Sequence, residues 1–219
     1  IALLLTTVRN VLSNDGIFVF EVPYLLDLIN DTAFDTIYHE HVHYYGIKPL
    51  AKILLKAGFE IFDVEKIDYM CGSIRVYSRL GSNHSNIVNS MIEIEENANL
   101  YDPSTYDKFM SKVRKLKIEV MSDLISIKLK GGKIIGIGAA TKGNTFLNYC
   151  RLDSDIISYI ADASQLKIGK MTPGSHIKII SDDQIEKAVT HAIILPWNIA
   201  NLLKKKLKHL ELEFYVPKM

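Results

Sequence analysis

The chain has 219 residues, of which 48% are hydrophobic, so it is long enough for one large domain or two smaller ones with apolar cores. Lys and Arg total 26 against 25 Asp and Glu, and this balance predicts no general attraction to nucleic acid or anionic lipid. Two cysteines are too few for a disulfide framework or a four-thiolate zinc site. We therefore expect a soluble protein of the reducing cytoplasm, whose partners bind at local sites.

The chain opens inside an apparent helix. Apolar residues recur at helical spacing from Ala2 to Leu12, and Gly16 supplies a stop. The run IFVFEVP then predicts a strand buried on both faces of a parallel sheet. The opening lacks a basic leader, and no apolar run approaches the roughly 20 residues of a membrane span, so neither export nor insertion is expected. Because it begins Ile-Ala-Leu rather than with Met, we expect it to be part of a longer protein.

The middle of the chain mixes strands and helices. A helix is predicted from Lys48 to Ala57, ended by Gly58. Two strands follow in FEIFDVEKI and SIRVYSRL, close enough in sequence to form an antiparallel pair. From Asn86 to Lys130 the pattern is helical, with a new helix beginning at Pro103. We interpret this helical region as a connector that also packs.

A different pattern begins after Gly131 and Gly132. Predicted strands and helices alternate in the order strand KIIGIGA, helix GNTFLNYC, strand IISYIAD, a loop rich in Lys, Gly and Pro, helix DDQIEKAV, strand HAIILP, helix NIANLLKKKLKHL and strand EFYVP. Alternation of this kind predicts an α/β domain with a doubly wound parallel sheet. We therefore expect three parts: residues 1–84, a helical connector at 85–130, and a Rossmann-like domain at 131–219.

The turn GIGAATKGN joins the first strand of that domain to its first helix. Glycines let backbone amides approach a phosphate at the helix N-terminus, and Lys142 adds positive charge. The glycine spacing fits neither the dinucleotide fingerprint nor the P-loop, so a tight turn made for packing is the alternative. Asp162 ends the next strand, where an acidic residue meets a ribose in such folds. An ordinary loop carboxylate is the alternative there.

The segment TIYHEHVHYYG holds three of the seven histidines. His39, His41 and His43 alternate, so on an extended segment they would face one side, as zinc or non-haem iron ligands can. A histidine beside a carboxylate and a tyrosine is also a working base at neutral pH. Structural histidines with satisfied hydrogen bonds are the third interpretation.

Several motifs together carry a resemblance to a known family. They are TTVRNVLSNDGIFVFEVPY, FDTIYHEH, AGFEIFDVEKI, GSIRVY, GIGAATKGNTFLNYC, PGSHIKI and ILPWN. Their order and content resemble the sugar C-methyltransferases, which methylate a ring carbon of a nucleotide-linked 4-keto-6-deoxyhexose with S-adenosylmethionine. The resemblance implies that residues 1–84 are the C-terminal part of a methyltransferase-type Rossmann sheet. It also implies that residues 131–219 contact the nucleotide-sugar.

The resemblance also assigns site residues. The catalytic triplet of the family, Tyr-x-Glu-His, falls on Tyr38, Glu40 and His41. Chemically, His41 would act as base or proton relay, Glu40 as its orienting or assisting carboxylate, and Tyr38 as donor to the enolate oxygen. The expected nucleotide contacts are Lys142, Gly143, Asn144 and Thr145.

Arg75 has two alternative roles, and two other positions depart from the family pattern. Arg75 would contact the sugar or a phosphate, or pair with a carboxylate on its sheet. Two departures, at Cys71-Gly72 and at Val42, concern the sugar pocket.

The resemblance implies S-adenosylmethionine as cofactor, with most of its site outside these residues. Zinc is expected only in an N-terminal module that is also outside them, and no metal is expected at the histidine segment. The predicted partner is a nucleotide-linked sugar, without nucleic acid or membrane. Two other functions fit parts of the sequence: a non-enzymatic nucleotide- or CoA-binding domain built on GIGAATKGN, and a metal-dependent enzyme using the histidines.

Overall fold

The computed structural model describes residues 1–67 and 72–218. The chain forms two compact units. Unit 1 comprises Ile1–Thr32 and Val42–Phe109, and unit 2 comprises Ala33–His41 and the chain from Met110 onward. The predicted boundaries at residues 84 and 130 divide the chain differently. In particular, the short segment that carries Tyr38, Glu40 and His41 belongs to unit 2, although unit 1 flanks it in sequence.

Unit 1 contains a small sheet with helices before, between and after its strands. Its elements are α1 (Ala2–Val11), β1 (Phe18–Pro23), α2 (Leu25–Asn30), α3 (Ile47–Lys56), β2 (Phe59–Ile67), β3 (Ser73–Leu80) and α4 (Asn86–Asn97). The long helix α5 (Pro103–Leu129) begins in this unit and continues into unit 2. The strands β2 and β3 have the predicted bounds, and Gly58, at φ +85°, ends α3 as expected. The sequence pattern had assigned no element to α2.

The sheet of unit 1 is antiparallel, with strand order β1-β3-β2. The predicted pairing of β2 with β3 is confirmed, and β1 pairs antiparallel with the other side of β3. Burial on both faces, expected for β1, is not observed: burial alternates along the strand, and Val19 is 45% exposed. A continuous apolar run can therefore belong to an antiparallel strand that covers a core with one face only.

A buried carboxylate links α4 to the start of α3. Glu95 is fully buried, and its two oxygens accept hydrogen bonds from the backbone N–H groups of Ile47 (2.5 Å) and Lys48 (3.1 Å). The hydroxyl of Tyr101 donates to the same carboxylate. A negative charge at a helix N-terminus satisfies free amides and is favoured by the helix dipole. This explains why α4 packs with unit 1 instead of acting only as a connector.

Unit 2 is built on a five-stranded parallel sheet. Its elements are β4 (Ile134–Ile137), α6 (Thr141–Cys150), β5 (Ile160–Ala161), β6 (Ile179–Ile180), β7 (His191–Ile194), α7 (Ala200–Lys206) and β8 (Glu213–Tyr215). The strand order is β6-β5-β4-β7-β8, and every pair is parallel. The chain starts in the middle, winds to one edge and then to the other, so β4 and β7 flank the point where the winding reverses. The predicted α/β class with a doubly wound parallel sheet is confirmed.

The core of unit 2 lies between this sheet and its flanking segments. Its members are apolar residues of β4, β5, β7 and α7 with the loops beside them: Ile135, Ile137, Tyr159, Ala161, Val189, Ala192, Ile194, Ala200 and Leu207. The β4 strand is buried along its whole length, as its unbroken apolar sequence predicts.

Two elements of unit 2 differ from their predictions. The segment DDQIEKAV is not an α-helix; only Asp182–Gln184 form a single 3₁₀ turn, and Ile185 is extended. The N–H of Glu186 donates to the Tyr159 hydroxyl at 3.1 Å instead of to a helical carbonyl, so a tertiary contact replaces the helix in this short segment. The loop rich in Lys, Gly and Pro contains the edge strand β6, which the sequence did not indicate.

Among the residues that the structure describes, no helix is both long and apolar enough to cross a membrane.

Candidate active site

The segment before the Tyr-x-Glu-His motif packs on α6. Phe34, Asp35 and Thr36 form a short 3₁₀ helix, and all three are buried. The Phe34 ring lies against the rings of Phe146 (centroids 6.1 Å apart) and Tyr149 (4.9 Å), both on α6. Aromatic contacts of this kind therefore join the histidine segment to the first helix of the parallel domain.

Tyr38 and His41 are hydrogen-bonded to each other. The Tyr38 hydroxyl lies 3.0 Å from Nε2 of His41, and the two ring centroids are 4.2 Å apart. The other ring nitrogen, Nδ1, lies 2.9 Å from the carbonyl oxygen of Thr36. A carbonyl can only accept, so Nδ1 carries a proton, and in neutral His41 the Nε2 atom accepts the Tyr38 proton. The backbone thus selects the tautomer whose basic nitrogen faces the tyrosine.

Glu40 does not orient His41 in this structure. Its carboxylate lies 3.3 Å from Nδ1 of His39, and both side chains are largely exposed. The orienting acceptor expected from Glu40 is instead the Thr36 carbonyl. The Glu40 carboxylate is therefore accessible to solvent or a ligand, because its oxygens are not hydrogen-bonded to His41.

The structure gives the alternating histidines no shared ligand geometry. His39 and His41 belong to unit 2, whereas His43 belongs to unit 1, where its ring contacts Tyr45. Across residues 1–67 and 72–218, no group of three His, Cys, Asp or Glu side chains is arranged to hold a metal ion. Both ring nitrogens of His41 are already hydrogen-bonded, which is the arrangement of a proton-transfer group.

A cavity of about 700 Å³ adjoins the Tyr-x-Glu-His motif within unit 2. Tyr38, His39 and Glu40 line it, together with the first turns of α6 and the loop before β6. Two predicted nucleotide-binding residues, Asn144 and Thr145, contribute to the same wall. Its volume suits a ligand larger than a single sugar. The structure therefore brings together Tyr38, Glu40, Asn144 and Thr145, with His41 hydrogen-bonded to Tyr38.

Asn144 has an unusual environment in this wall. Its Oδ1 atom is buried and accepts no hydrogen bond from any residue that the structure describes. Nearly all buried polar atoms in proteins have a partner. A hydrogen-bond donor on a ligand in the cavity would satisfy this oxygen.

Asp162 organises the glycine-rich turn. One of its oxygens accepts the N–H of Ala139 at 2.7 Å, and the other accepts the N–H of Ser164 at 2.7 Å. Gly138 has φ +83°, and a Cβ there would lie 2.8 Å from Pro196, so only glycine fits. A second cavity of about 240 Å³ lies beside this turn and includes Asp162 in its lining. The Asp162 carboxylate therefore already accepts the N–H of Ala139, a backbone amide of the turn that a bound phosphate could otherwise contact.

Lys142 and Gly143 line neither of these cavities. A Cβ on Gly143 would lie 2.7 Å from Cβ of Leu195, so this glycine lets α6 approach the end of β7 closely. Lys142 is buried, and its Nζ lies 4.1 Å from the centroid of the Trp197 ring. Trp197 Nε1 donates to Oδ2 of Asp35 at 2.8 Å. Burial raises the pKa of Asp35 to about 6, and the positive charge of Lys142 opposes this rise.

Arg75 lies in unit 1, in the middle of the antiparallel sheet. Its guanidinium pairs with Glu21 of β1 (2.6 Å) and with Glu65 of β2 (3.1 Å). Those two carboxylates stand directly opposite Arg75 in the registers of the neighbouring strands. The arrangement is that of a cross-strand ion pair, the alternative given for this residue.

Sequence reasoning gave no role to Asp35, Thr36 or Trp197. Asp35 and Thr36 fall in FDTIYHEH and Trp197 in ILPWN, two of the family motifs. Trp197 is the single tryptophan of the chain, and an apolar side chain with one polar N–H usually seeks a buried partner. That partner, Asp35, is 162 residues away in sequence, so residue spacing gave no indication of it. Cys71, in one of the two departures, lies outside the described residues.

Comparison with known proteins agrees with these motifs. The family model described as C-methyltransferase C-terminal domain matches residues 68–214. The C-methyltransferase NovU of Streptomyces niveus is 31% identical over 200 residues, which cover 90% of this chain and 48% of NovU. The chain thus spans about half the length of that curated relative. Because the family model covers well over half of the chain, the resemblance to a C-methyltransferase is confirmed, and the chain belongs to the C-methyltransferase family through its C-terminal domain.

Proposed function

We propose that this chain is part of an S-adenosylmethionine-dependent enzyme that methylates the ring carbon next to the ketone of a nucleotide-linked 4-keto-6-deoxysugar. The observation that carries the proposal is the hydrogen-bonded pair Tyr38–His41, with Tyr38 on the wall of a cavity that Asn144 and Thr145 also line. The motif resemblance and the similarity to NovU support it. The sugar and its nucleotide are inferred from the resemblance.

The reaction requires removal of a proton from carbon. A ketone acidifies the hydrogens on the neighbouring carbons, because the resulting negative charge is delocalised onto the oxygen as an enolate. A base positioned within hydrogen-bond reach accelerates such a step by roughly 10² to 10⁴. In unit 2, Tyr38 is the member of the pair that lines the cavity.

The hydrogen bond to His41 orients the Tyr38 hydroxyl. With neutral His41, the Tyr38 O–H points at Nε2. We assign the Tyr38 oxygen as the atom that receives the substrate proton. The proton on the substrate carbon then moves to the Tyr38 oxygen as the Tyr38 proton moves to His41 Nε2. The Thr36 carbonyl holds Nδ1–H throughout and stabilises the imidazolium that forms. The pair removes one proton from the substrate without leaving a charge on the tyrosine.

Glu40 is assigned an assisting role at the substrate. Its carboxylate lines the cavity two residues from Tyr38 and is 54% exposed. A carboxylate in that place accepts hydrogen bonds from sugar hydroxyls, which fixes the ring relative to Tyr38. Asn144 and Thr145 are assigned contacts with the nucleotide part.

When bound, S-adenosylmethionine would supply the electrophilic methyl group. The described residues of unit 1 do not fit its polar groups. One cavity in that unit, of about 360 Å³, is lined mainly by aliphatic and aromatic side chains, with Glu21, His43 and Tyr45 as its polar members. We propose that residues outside this sequence hold the methyl donor, and we assign it no contact here.

The test is hydrogen exchange at the substrate carbon, measured on the full-length protein. A nucleoside-diphosphate 4-keto-6-deoxysugar is incubated in D₂O with the protein, and NMR follows replacement of the hydrogens next to the ketone. We expect catalysed exchange that Tyr38→Phe and His41→Asn abolish and that the exposed-surface control Lys187→Met retains. Methyl transfer is then measured after S-adenosylmethionine is added. Nucleotide binding without exchange or methyl transfer would identify a non-enzymatic binding domain instead.

A further inference from the structure

Three polar side chains meet in the interior of unit 2. Asp35 is fully buried three residues before Tyr38, and Lys142 is 6% exposed in the first turn of α6. Trp197 follows Pro196 just after β7. The three residues therefore come from the segment that leads into Tyr38, the glycine-rich turn and the 3₁₀ turn that follows β7.

Their contacts form a chain. Trp197 Nε1 donates to Oδ2 of Asp35 at 2.8 Å, and Lys142 Nζ lies 4.1 Å from the centroid of the Trp197 ring. Lys142 also acts electrostatically on Asp35, whose charged form it favours. The other oxygen of Asp35, Oδ1, accepts no hydrogen bond from residues 1–67 or 72–218. The positive charge of Lys142 is thus the main compensation for burying this carboxylate.

This arrangement argues against a phosphate contact for Lys142. Its side chain lines neither the cavity of about 700 Å³ nor that of about 240 Å³. Opposite charges buried near each other contribute little net stability compared with apolar residues, so stability alone does not explain the burial of Lys142 and Asp35. They do impose a defined geometry, because each charge must stay near its partner. The geometry imposed here is that of the 3₁₀ helix that leads into Tyr38.

We propose that Lys142, Asp35 and Trp197 are positioning residues that fix the Tyr38–His41 segment against α6 and the end of β7. Lys142 acts through Asp35 on the catalytic pair and does not bind the ligand's phosphates. The expected loss of turnover rests on the proposed function. The positioning of the Tyr38–His41 segment by these three residues does not. Displacement of a reacting group by about 1 Å lowers turnover by about 10²-fold, so loss of one member affects turnover more than binding.

The experiment uses the full-length protein and three variants. Lys142→Met removes the charge and keeps the length of the side chain. The double variant Lys142→Met/Asp35→Asn also removes the unpaired carboxylate and keeps an acceptor for Trp197. Lys187→Met is the control, since Lys187 is exposed and outside both cavities. Steady-state kinetics at pH 8 and nucleoside-diphosphate titration are measured for each.

We expect Lys142→Met to lower kcat by about 10²-fold while KM and nucleotide affinity change less than about threefold. The double variant should recover a large part of kcat, because no uncompensated charge remains buried. Weaker nucleotide binding with unchanged kcat in Lys142→Met overturns the proposal, as does a double variant no better than the single one.

A second measurement separates this proposal from the proposed function. Backbone hydrogen exchange reports the segment directly, because the N–H groups of Ile37 and His41 are hydrogen-bonded to Phe34 and Tyr38 carbonyls. If the wild-type protein shows no turnover, the proposed function fails, but faster exchange of these amides in Lys142→Met than in Lys187→Met still supports the positioning role. Equal exchange rates in the two variants overturn it.

Discussion

The Tyr38 hydroxyl lies 3.0 Å from Nε2 of His41, and the Thr36 carbonyl fixes the proton on the other ring nitrogen. The protonation state of His41 therefore controls what Tyr38 presents to the cavity. Neutral His41 accepts the tyrosine proton at Nε2. Imidazolium His41 donates to the tyrosine oxygen, which turns the tyrosine proton outward. One pair of side chains can serve as base or acid.

The first prediction is that Tyr38 and His41 act as one unit. Tyr38→Phe and His41→Asn should each lower kcat by roughly 10² to 10⁴, with nucleotide affinity near wild type. The double variant should be about as slow as the worse single variant, since either change already interrupts the proton path. Steady-state kinetics of full-length variants and nucleotide titration measure this. Losses in kcat that multiply in the double variant would show that the two residues act independently.

The second prediction concerns pH and Asp35. Burial raises the pKa of this carboxyl from 3.8 to about 6. Between about pH 4 and pH 6 the folded state thus holds a proton that the unfolded chain has released, so stability falls as pH rises through this range and is constant above it. At about 1.4 kcal/mol per unit, the fall is at most about 3 kcal/mol.

Urea unfolding of wild type and Asp35→Asn from pH 4 to pH 7 isolates this contribution. Other carboxyl groups titrate in both proteins, so the difference in free energy of unfolding reports Asp35. The variant should gain stability relative to wild type as pH rises from 4 to 6. Parallel stability curves would mean that Asp35 titrates alike in the folded and unfolded chains.

The third prediction is that Arg75 supports the sheet of unit 1 and takes no part in nucleotide binding. Its partners Glu21 and Glu65 lie on the two neighbouring strands, and the side chains are partly exposed. Solvent-exposed ion pairs of this kind contribute little to stability, so Arg75→Gln should shift the urea midpoint of unfolding only slightly. Nucleotide affinity should not change. A tenfold weaker affinity would restore the substrate-binding role for Arg75.

The fourth prediction is that Cys150 is chemically inert in the folded protein. Cys150 is fully buried, and burial raises its pKa to about 12. At pH 8 the thiolate fraction is then ~10⁻⁴, and the reagent has no access to the sulfur. In a Cys71→Ser background, a thiol reagent should label no cysteine in native conditions and one after denaturation. Rapid native labelling would show that the core around α6 opens readily.

Local sequence patterns were sufficient to predict some secondary-structure elements but not others. The bounds of β2 and β3 follow from β-rich sequence with a glycine before each strand, a signal that is local to the chain. The segment DDQIEKAV has a helical pattern, yet it is not a helix. The N–H of Glu186 instead donates to the hydroxyl of Tyr159, which directly precedes β5. Short segments have little intrinsic helical stability, so a single tertiary hydrogen bond can decide their conformation.

In the candidate site, the sequence likewise indicates the chemistry of the side chains but not their partners. The residue types in Tyr38, Glu40 and His41 indicate proton transfer, because that chemistry needs those side chains. The acceptor that orients His41 is a backbone carbonyl of Thr36, and backbone atoms leave no trace in residue identity. Likewise, a lysine in a glycine-rich turn suggests a phosphate contact. Its burial against Trp197 depends on where β7 ends in space, which the local sequence does not reveal.

The last prediction is that Asn144 lowers the free energy of unfolding and strengthens nucleotide binding. Its buried Oδ1 has no hydrogen-bond donor among the described residues, and such an atom costs about 1 to 3 kcal/mol. Asn144→Ala removes the unsatisfied atom and introduces a better helix former in α6, so the free energy of unfolding should rise by about 1 kcal/mol. The same change removes the ligand contact that we propose for Asn144 in the cavity. Nucleotide affinity should fall by about tenfold for each 1.4 kcal/mol of lost hydrogen bonding.

Asn148, one turn later on α6, provides the contrast. Its side-chain amide donates to the carbonyl oxygens of Asn144 (2.8 Å) and Pro173 (3.0 Å), so Asn148→Ala should lower stability. Urea unfolding of both variants and calorimetric nucleotide titration of Asn144→Ala give the two quantities. Opposite signs for stability and affinity in Asn144→Ala identify a residue retained for its ligand. A variant that loses both would show that Asn144 serves the fold, and one that keeps full affinity would place the nucleotide elsewhere.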